Sequence, residues 1–232
     1  FLVSQLAKQH VKVAISGDGG DELFCGYNRH LISKKLSKIF KLTPLGFRKL
    51  FSHTLHLISS KNWSKISKVL PNFNQYSNFG DKVYKFASAM DAKTINDAYY
   101  ILCSHWQNPS QVVIDSKEPR TLLTDFEPTL EGLDVQQKMM VLDFLTYLPN
   151  DILVKIDRAA MASSLETRVP FLDHRIIEFA ATIPNKYKTK VIRKQLELTS
   201  DKSSEVNDIT KYILRKAFEN EIPKQILDRK KI

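Results

Sequence analysis

A short apolar run, Val11-Lys12-Val13-Ala14-Ile15, leads straight into Ser16-Gly17-Asp18-Gly19-Gly20-Asp21-Glu22. The β-branched run predicts a strand over 11–15, and the following segment is too rich in glycine and carboxylate to serve packing alone. Glycines allow backbone angles and close ligand approach that other residues resist. In an open α/β sheet the loop after the carboxyl end of a strand is where ligands sit. The fold must therefore accommodate an acidic, glycine-rich loop at a strand end, and that loop is the first candidate site.

Several phosphate and metal motifs are excluded. No Gly-Lys-Ser/Thr follows, so this is no P-loop, and Glu22 stands where a dinucleotide fingerprint needs its third glycine. The spacing also fails the calcium-loop pattern. Asp18, Asp21 and Glu22 repel a polyphosphate unless a divalent cation lies between, and Mg²⁺ takes one or two carboxylates plus phosphate oxygens. The competing reading is a strand-to-helix turn in which Asp21 caps the helix and Glu22 meets its dipole.

The rest of the chain reads as mostly helical. Helices are expected from Glu22 to about Lys41, broken by Pro44 and Gly46, then near 46–59, 62–69, 80–90 and 94–104. Residues 105–134 carry four of the helix breakers and read as irregular, with 121–124 a candidate extended piece. Val135–Leu148 fits an amphipathic helix that buries Met139, Leu142 and Leu145. Pro149 is expected to end it, with Asn150 capping a further helix to about Leu165. Lys188–Asn207 is polar and reads as a surface loop.

A chain of 232 residues can bury a sizeable core and is read as one domain, 1–232. No apolar run reaches the length of a membrane span. The first residues are too short and polar for a signal peptide. Cys25 and Cys103 make neither a disulfide framework nor a zinc pattern, so a reduced, cytoplasmic protein is expected. Charge is less ordinary. Between Leu23 and Gly80 there is no acidic residue but ten basic ones, equal to the whole net charge of +10. With Leu36, Ile39, Phe40, Leu42, Leu45, Phe47 and Phe51 interleaved, this stretch is either a solvated helical face or an anion-binding surface. No nucleic-acid motif accompanies it, which argues against nucleic acid as a partner.

Two later segments also concentrate ionisable groups. Glu166, Arg168, Asp173 and His174 surround Val169-Pro170-Phe171-Leu172, where Pro170 forces Val169 out of helical geometry. The group reads equally as an ion-pair corner or a substrate clamp. Further on, Asp208 is expected to cap a helix on which Lys211 and Arg215, at i and i+4, share one side. Such a pair is either solvated or aimed at phosphate.

The string SGDGGDELF-x-GY, with YLPNDILVKIDRAAMASSLETRVPFLDHRIIEFA at 147–180 and KYILRKAFENEIPKQILDRKK at 211–231, resembles the synthetase domain of glutamine-dependent asparagine synthetases, of the PP-loop ATP-pyrophosphatase group. The three matches lie in the family's order and cover roughly a third of the chain. The resemblance implies an α/β, Rossmann-like PP-loop fold, here mainly helical with one or two parallel strands. It implies that aspartate attacks the α-phosphate of Mg-ATP to give β-aspartyl-AMP, and that ammonia taken from glutamine by a separate glutaminase domain displaces AMP. On this carry-over Ser16 and Gly17 contact ATP, Asp21 binds Mg²⁺, and Asp18 lies near the reacting carboxyl. Lys211 assists acyl-adenylate formation, with Arg229, Lys230 and Lys231 further candidates for phosphate contact. A homodimer and no membrane association are the remaining partner expectations.

Departures accompany the likeness. Relatives carry an SGG-x-D-S loop for pyrophosphate and an N-terminal cysteine nucleophile; neither motif occurs here, since residue 1 is Phe and Cys25 lies within the acidic loop region. Asp18 stands where relatives have Glu or Asp, and 188–207 is longer than the family connection. The expectation is a partial synthetase domain that does not make asparagine by itself. The rivals are a related amide- or lactam-forming enzyme acting on another carboxylate, and a non-catalytic basic binding module.

Overall fold

The computed structural model describes residues 1–69, 78–104, 106, 111–116, 121–123, 130–194 and 205–227. Two compact units divide the chain: Phe1–Leu31 with Gln136–Ile232, and Ile32–Val135.

In the first unit, helix α1 (Leu2–Lys8) precedes strand β1 (Val13–Ile15), which pairs in parallel with β2 (Glu166–Arg168). Val13 faces Glu166 and Ile15 faces Arg168 across the ladder. The Ser16 N–H extends it by donating to the Arg168 carbonyl at 2.8 Å, and the chain then leaves the sheet. The α/β expectation therefore holds: among the described residues a small parallel sheet lies with many helices.

Helix α2 (Gly20–Leu23) is a single turn, and α3 (Asn28–Leu42) begins only after a break. The continuous helix expected from Glu22 is interrupted because Cys25 adopts the left-handed conformation, φ 59°. That turn folds the chain back so that the Gly26 N–H donates to the Asp21 carbonyl at 2.8 Å. Leu23 and Phe24 are thereby buried with Ala180 and Ile183, and Phe171 meets Phe24 edge-on at 5.9 Å.

Helix α8 (Val135–Leu145) buries the face formed by Gln136, Met139, Met140 and Asp143, spaced i, i+3, i+4, i+7. Met139 and Leu142 are buried as expected, but Leu145 is 48% exposed. Two polar residues, Gln136 and Asp143, are buried on this face. Pro149 does not separate two helices. It lies inside a π-helical turn, Leu148–Leu153, that runs on into α9 (Val154–Met161). A proline lacks the N–H that the α ladder needs, and a widened turn absorbs the loss. Asn150 is therefore inside this turn rather than a cap; its N–H donates to Thr146 O at 3.1 Å.

After a 3₁₀ turn (Pro170–Leu172), Asp173 caps α10 (His174–Thr182) by accepting from the Arg175 N–H at 2.9 Å. Helix α11 (Asn185–Lys188) leads into β3 (Lys190–Lys194), antiparallel to β4 (Glu205–Ile209). The surface loop expected over 188–207 thus contains a strand pair, with Lys190 opposite Ile209. Asp208 belongs to β4 and does not cap a helix; α12 (Tyr212–Ala217) starts after Lys211, and α13 (Lys224–Leu227) follows.

The second unit is helical among the described residues: α4 (Leu45–His56), α5 (Ser60–Val69), α6 (Phe79–Asp91) and α7 (Ile95–Cys103), with the later part of α3. Residues 121–123 are not extended, and Thr124 lies outside the described residues. Leu36 packs with Ala89, Met90, Ala92 and Ala98, flanked by Ile39 and Phe40. Arg48, counted with the basic surface from sequence, is 4% exposed. Its Nη1 donates to the carbonyls of Met90 (3.1 Å) and Ala92 (2.8 Å), and its guanidinium lies 3.6 Å from the Phe40 ring centroid. Helix α7 opens on a capping box in which Thr94 and Asp97 each accept the other's backbone N–H. Among the described residues no helix is long and apolar enough to cross a membrane.

Candidate functional site

The acidic loop begins where β1 ends. Ser16 donates its hydroxyl to Asp18 Oδ2, so these two expected site residues are in direct contact. Gly17 is exposed, and a Cβ built on it would meet nothing within 4 Å, which leaves open space over the loop. Gly19 takes φ 80°, and a Cβ there would lie 2.8 Å from Leu172 Cδ2. Gly20 stands against the Phe171 ring, 3.2 Å from where its Cβ would be. The second motif therefore supports the first: Val-Pro-Phe-Leu forms the floor on which two of the loop glycines rest.

Asp21 does not cap α2. The N-cap is Gly19, with no side-chain cap, and the Asp21 carboxylate instead meets Lys211. Lys211 Nζ lies 3.0 Å from Asp21 Oδ1, with both side chains about a quarter to a third exposed. Lys211 is itself left-handed, φ 53°, at the N-cap of α12. Arg215 does not join it. The Arg215 Nε donates to Thr210 O at 3.0 Å and its Nη1 to Leu227 O, so the expected shared face of two cations splits. Arg229, Lys230 and Lys231 lie outside the described residues. Of the corner residues, Arg168 pairs with Glu166 at 2.6 Å and Arg175 with Asp173 at 2.8 Å, all at the surface. Arg175 holds the Asp173 carboxyl far below the usual carboxylate range.

Beneath the loop is a polar cluster that the sequence reading missed. Glu22 is 2% exposed and accepts from Tyr27 Oη at 2.7 Å. Burial pushes the Glu22 carboxyl up, opposed by the Tyr27 hydrogen bond, and burial with that same bond pushes the Tyr27 phenol up strongly. The Arg29 guanidinium lies 4.2 Å from the Tyr27 ring centroid and 4.5 Å from that of Tyr147. Arg29 Nε donates to Asp143 Oδ2 at 2.8 Å, and His30 Nε2 contacts the same oxygen at 2.7 Å. Burial raises the Asp143 carboxyl, but the hydrogen bonds from His30 and Arg29 outweigh it and hold the group below its ordinary value. Gln136 Nε2 donates to Cys25 Sγ at 3.0 Å. The helical register of Gln136 and Asp143 with Met139 was the available signal for this cluster.

The acidic groups fit a hard divalent cation of the kind that Mg²⁺ is. The loop supplies the carboxylates of Asp18 and Asp21, and no group of three or more His, Cys, Asp or Glu that could hold a metal occurs among the described residues. Mg²⁺ is commonly held by one or two carboxylates and substrate phosphates rather than by an all-protein cage. The second unit has a groove of about 870 Å³ lined by Lys49, Ser52, His53, His56, Ser88 and Asp91, which contains no residue of the three motifs.

The asparagine synthase family model matches residues 1–232. The chain belongs to the asparagine synthase family. It is 30% identical over 245 residues to asparagine synthetase [glutamine-hydrolyzing] 1 of Bacillus subtilis, a match covering 100% of this chain and 32% of that protein. It is 30% identical over 237 residues to a putative asparagine synthetase [glutamine-hydrolyzing] of Mycobacterium tuberculosis, covering 100% of this chain and 31% of the relative. A shorter match, 40% identical over 80 residues, is to asparagine synthetase [glutamine-hydrolyzing] of Gallus gallus and covers 34% of this chain and 12% of that protein. The chain thus spans about a third of the length of the first curated relatives it matches. No solved structure matches it.

Proposed function

We propose that the protein carrying this segment activates aspartate with ATP and converts it to asparagine. The observation that supports this reading best is the meeting of Asp21 and Lys211 at 3.0 Å, 190 residues apart in sequence, beside the loop that ends β1. Adenylation needs a cation near the phosphate chain and a carboxylate able to hold Mg²⁺, and this pair supplies both chemistries at one place. Mg²⁺, when bound, would neutralise charge on the phosphates, with Asp21 as its protein ligand.

The remaining roles follow from position. Ser16 and Gly17 border the open space at the strand end and would bind the nucleotide there. Lys211 would stabilise charge that develops as the aspartate side-chain oxygen attacks the α-phosphorus and the bond to pyrophosphate breaks. Asp18, oriented by the Ser16 hydroxyl, would face the reacting carboxyl. Ammonia then attacks the acyl carbon, the C–O bond to AMP breaks, and a proton is lost as asparagine forms. A glutaminase domain of the same protein would supply that ammonia from glutamine. A cytoplasmic location, a homodimer and a synthetase domain of which 1–232 is one part complete the proposal.

The test is AMP and pyrophosphate release from Mg-ATP by the intact protein, with aspartate and ammonia each present or omitted. Release that requires aspartate supports the reading. Release driven by a different carboxylate moves the protein to a related amide-forming activity, and no release under any carboxylate overturns adenylation altogether.

A further inference from the structure

Asp21 and Lys211 meet over a residue that has no side chain. A Cβ built on Gly26 would lie 1.7 Å from Asp21 Oδ1, 2.6 Å from Asp21 Cγ and 2.5 Å from Lys211 Cε. Atoms do not approach that closely, so any larger residue at 26 must displace the carboxylate, the lysine stem or both. Glycine is often required for a left-handed backbone, but Gly26 is not among the positive-φ residues. What this position requires is space.

The surrounding chain is built to hold that space. Cys25 carries the left-handed conformation instead of Gly26, and it is fully buried with its Sγ accepting from Gln136. Gly26 is tied back to the Asp21 carbonyl at 2.8 Å. Lys211, a partner in the pair, is also left-handed. Non-glycine residues in this region are costly and persist where their surroundings over-determine them, a condition concentrated at functional sites. Here one such residue adjoins Gly26 and another is a member of the ion pair itself.

We propose that Gly26 is a positioning residue of the adenylation site: its missing side chain is the seat in which the Asp21 carboxylate and the Lys211 ammonium pair. The pair fixes the separation between the cation that would face the phosphate chain and the carboxylate that would hold the metal, before substrate arrives. This inference rests on the function proposed above. The three nearest atoms in the clash all belong to two flexible side chains, so a methyl group at 26 is expected to redirect Asp21 and Lys211 without dismantling α2 or α12.

The experiment uses the intact protein with Gly26→Ala, Asp21→Ala, Lys211→Ala and the doubles Gly26→Ala/Lys211→Ala and Gly26→Ala/Asp21→Ala. Gly46→Ala, whose Cβ meets nothing within 4 Å, is the control. Gly26→Ala is expected to lower aspartate-dependent pyrophosphate release by roughly 10²-fold, the scale for losing one oriented charge-stabilising donor. Combined with Lys211→Ala it is expected to cost less than the product of the two single losses, because without the lysine no ion pair is left to misalign and only Asp21 remains to be displaced. Losses that multiply in the double variant, or a Gly26→Ala enzyme of normal rate, overturn the inference.

Melting temperature without ligand gives a second readout that needs no activity. Should Gly26→Ala alone fail to fold, Gly26→Ala/Asp21→Ala must melt close to Asp21→Ala, since the closest clash has been removed. A double variant that melts far lower overturns the steric reading. A wild-type protein with no aspartate-dependent release sinks the proposed function instead, and leaves the melting comparison to decide the seat by itself.

Discussion

Removing the Asp143 carboxylate is the sharpest test of how the buried cluster holds the acidic loop. Asp143 is 1% exposed and accepts from Arg29 Nε at 2.8 Å and His30 Nε2 at 2.7 Å. Hydrogen bonds to a charged group contribute about 1.5–3 kcal/mol each. Breaking a buried pair by deleting one partner costs about 3–5 kcal/mol, because the remaining group stays buried without compensation. Arg29, with 22% of its side chain exposed, can recover some hydration, whereas His30 at 0% cannot. Asp143→Ala is therefore expected to destabilise the first unit by about 3–4 kcal/mol. With a urea dependence of about 2 kcal/mol per molar, the midpoint falls by roughly 1.5–2 M. Hydrogen–deuterium exchange in urea, read on peptides covering residues 20–31 and 136–147, reports this unit separately. Asp143→Asn keeps one acceptor and is expected to lose about half as much. The pH dependence has a definite sign. A carboxyl held below its unfolded value of about 3.9 stabilises the fold above that value, and the contribution is lost as pH falls through the folded one. Wild type must therefore weaken more steeply below about pH 4 than Asp143→Asn does. A midpoint shift under about 0.5 M for Asp143→Ala, or parallel acid limbs, would refute the account.

Other outcomes follow from individual contacts. Lys211→Met, which keeps the stem and removes the charge, is expected to cut aspartate-dependent pyrophosphate release by roughly 10²–10³-fold in the intact protein while leaving its melting temperature nearly unchanged. Arg48→Ala removes two hydrogen bonds to the carbonyls of Met90 and Ala92 and the contact with Phe40, and should cost about 2–4 kcal/mol, seen as a lowered urea midpoint. Arg48→Lys should not restore it, because an ammonium cannot reproduce a planar guanidinium over a ring. Thr94→Ala removes one side of the capping box and should cost about 1 kcal/mol, measured as faster amide exchange in the first turn of α7.

Chemistry written in contiguous residues was legible in the sequence. The run from Val11 to Gly20 identified a strand end and a glycine-rich acidic loop without any partner, because strand propensity and glycine freedom are local properties. Helix starts and stops at Pro44 and near Thr94 were readable for the same reason. Family membership was legible too, since the three motifs are themselves strings. Departures arose wherever a distant partner overrode a local preference. Asp21 had the sequence of a cap yet pairs with Lys211, and Lys211 had the spacing of a helical face yet precedes its helix. Pro149 had the character of a helix end, but a π-helical turn carries the chain past it.

The sequence by itself thus determined which residues could do chemistry: acidic and glycine-rich groups at a strand end, and a lysine near the far end of the chain. Tertiary structure decided which of them meet. Periodicity picked out Met139, Leu142 and Leu145 on this helix and passed over Gln136 and Asp143, and only packing supplied His30 and Arg29 as partners that make a buried carboxylate tolerable. The requirement for glycine at 26 was likewise invisible in one dimension, because it is set by two side chains that arrive from five residues before and 185 residues after. A residue's local conformation depends on its neighbours in sequence, but the space left for its side chain depends on whatever the fold brings against it.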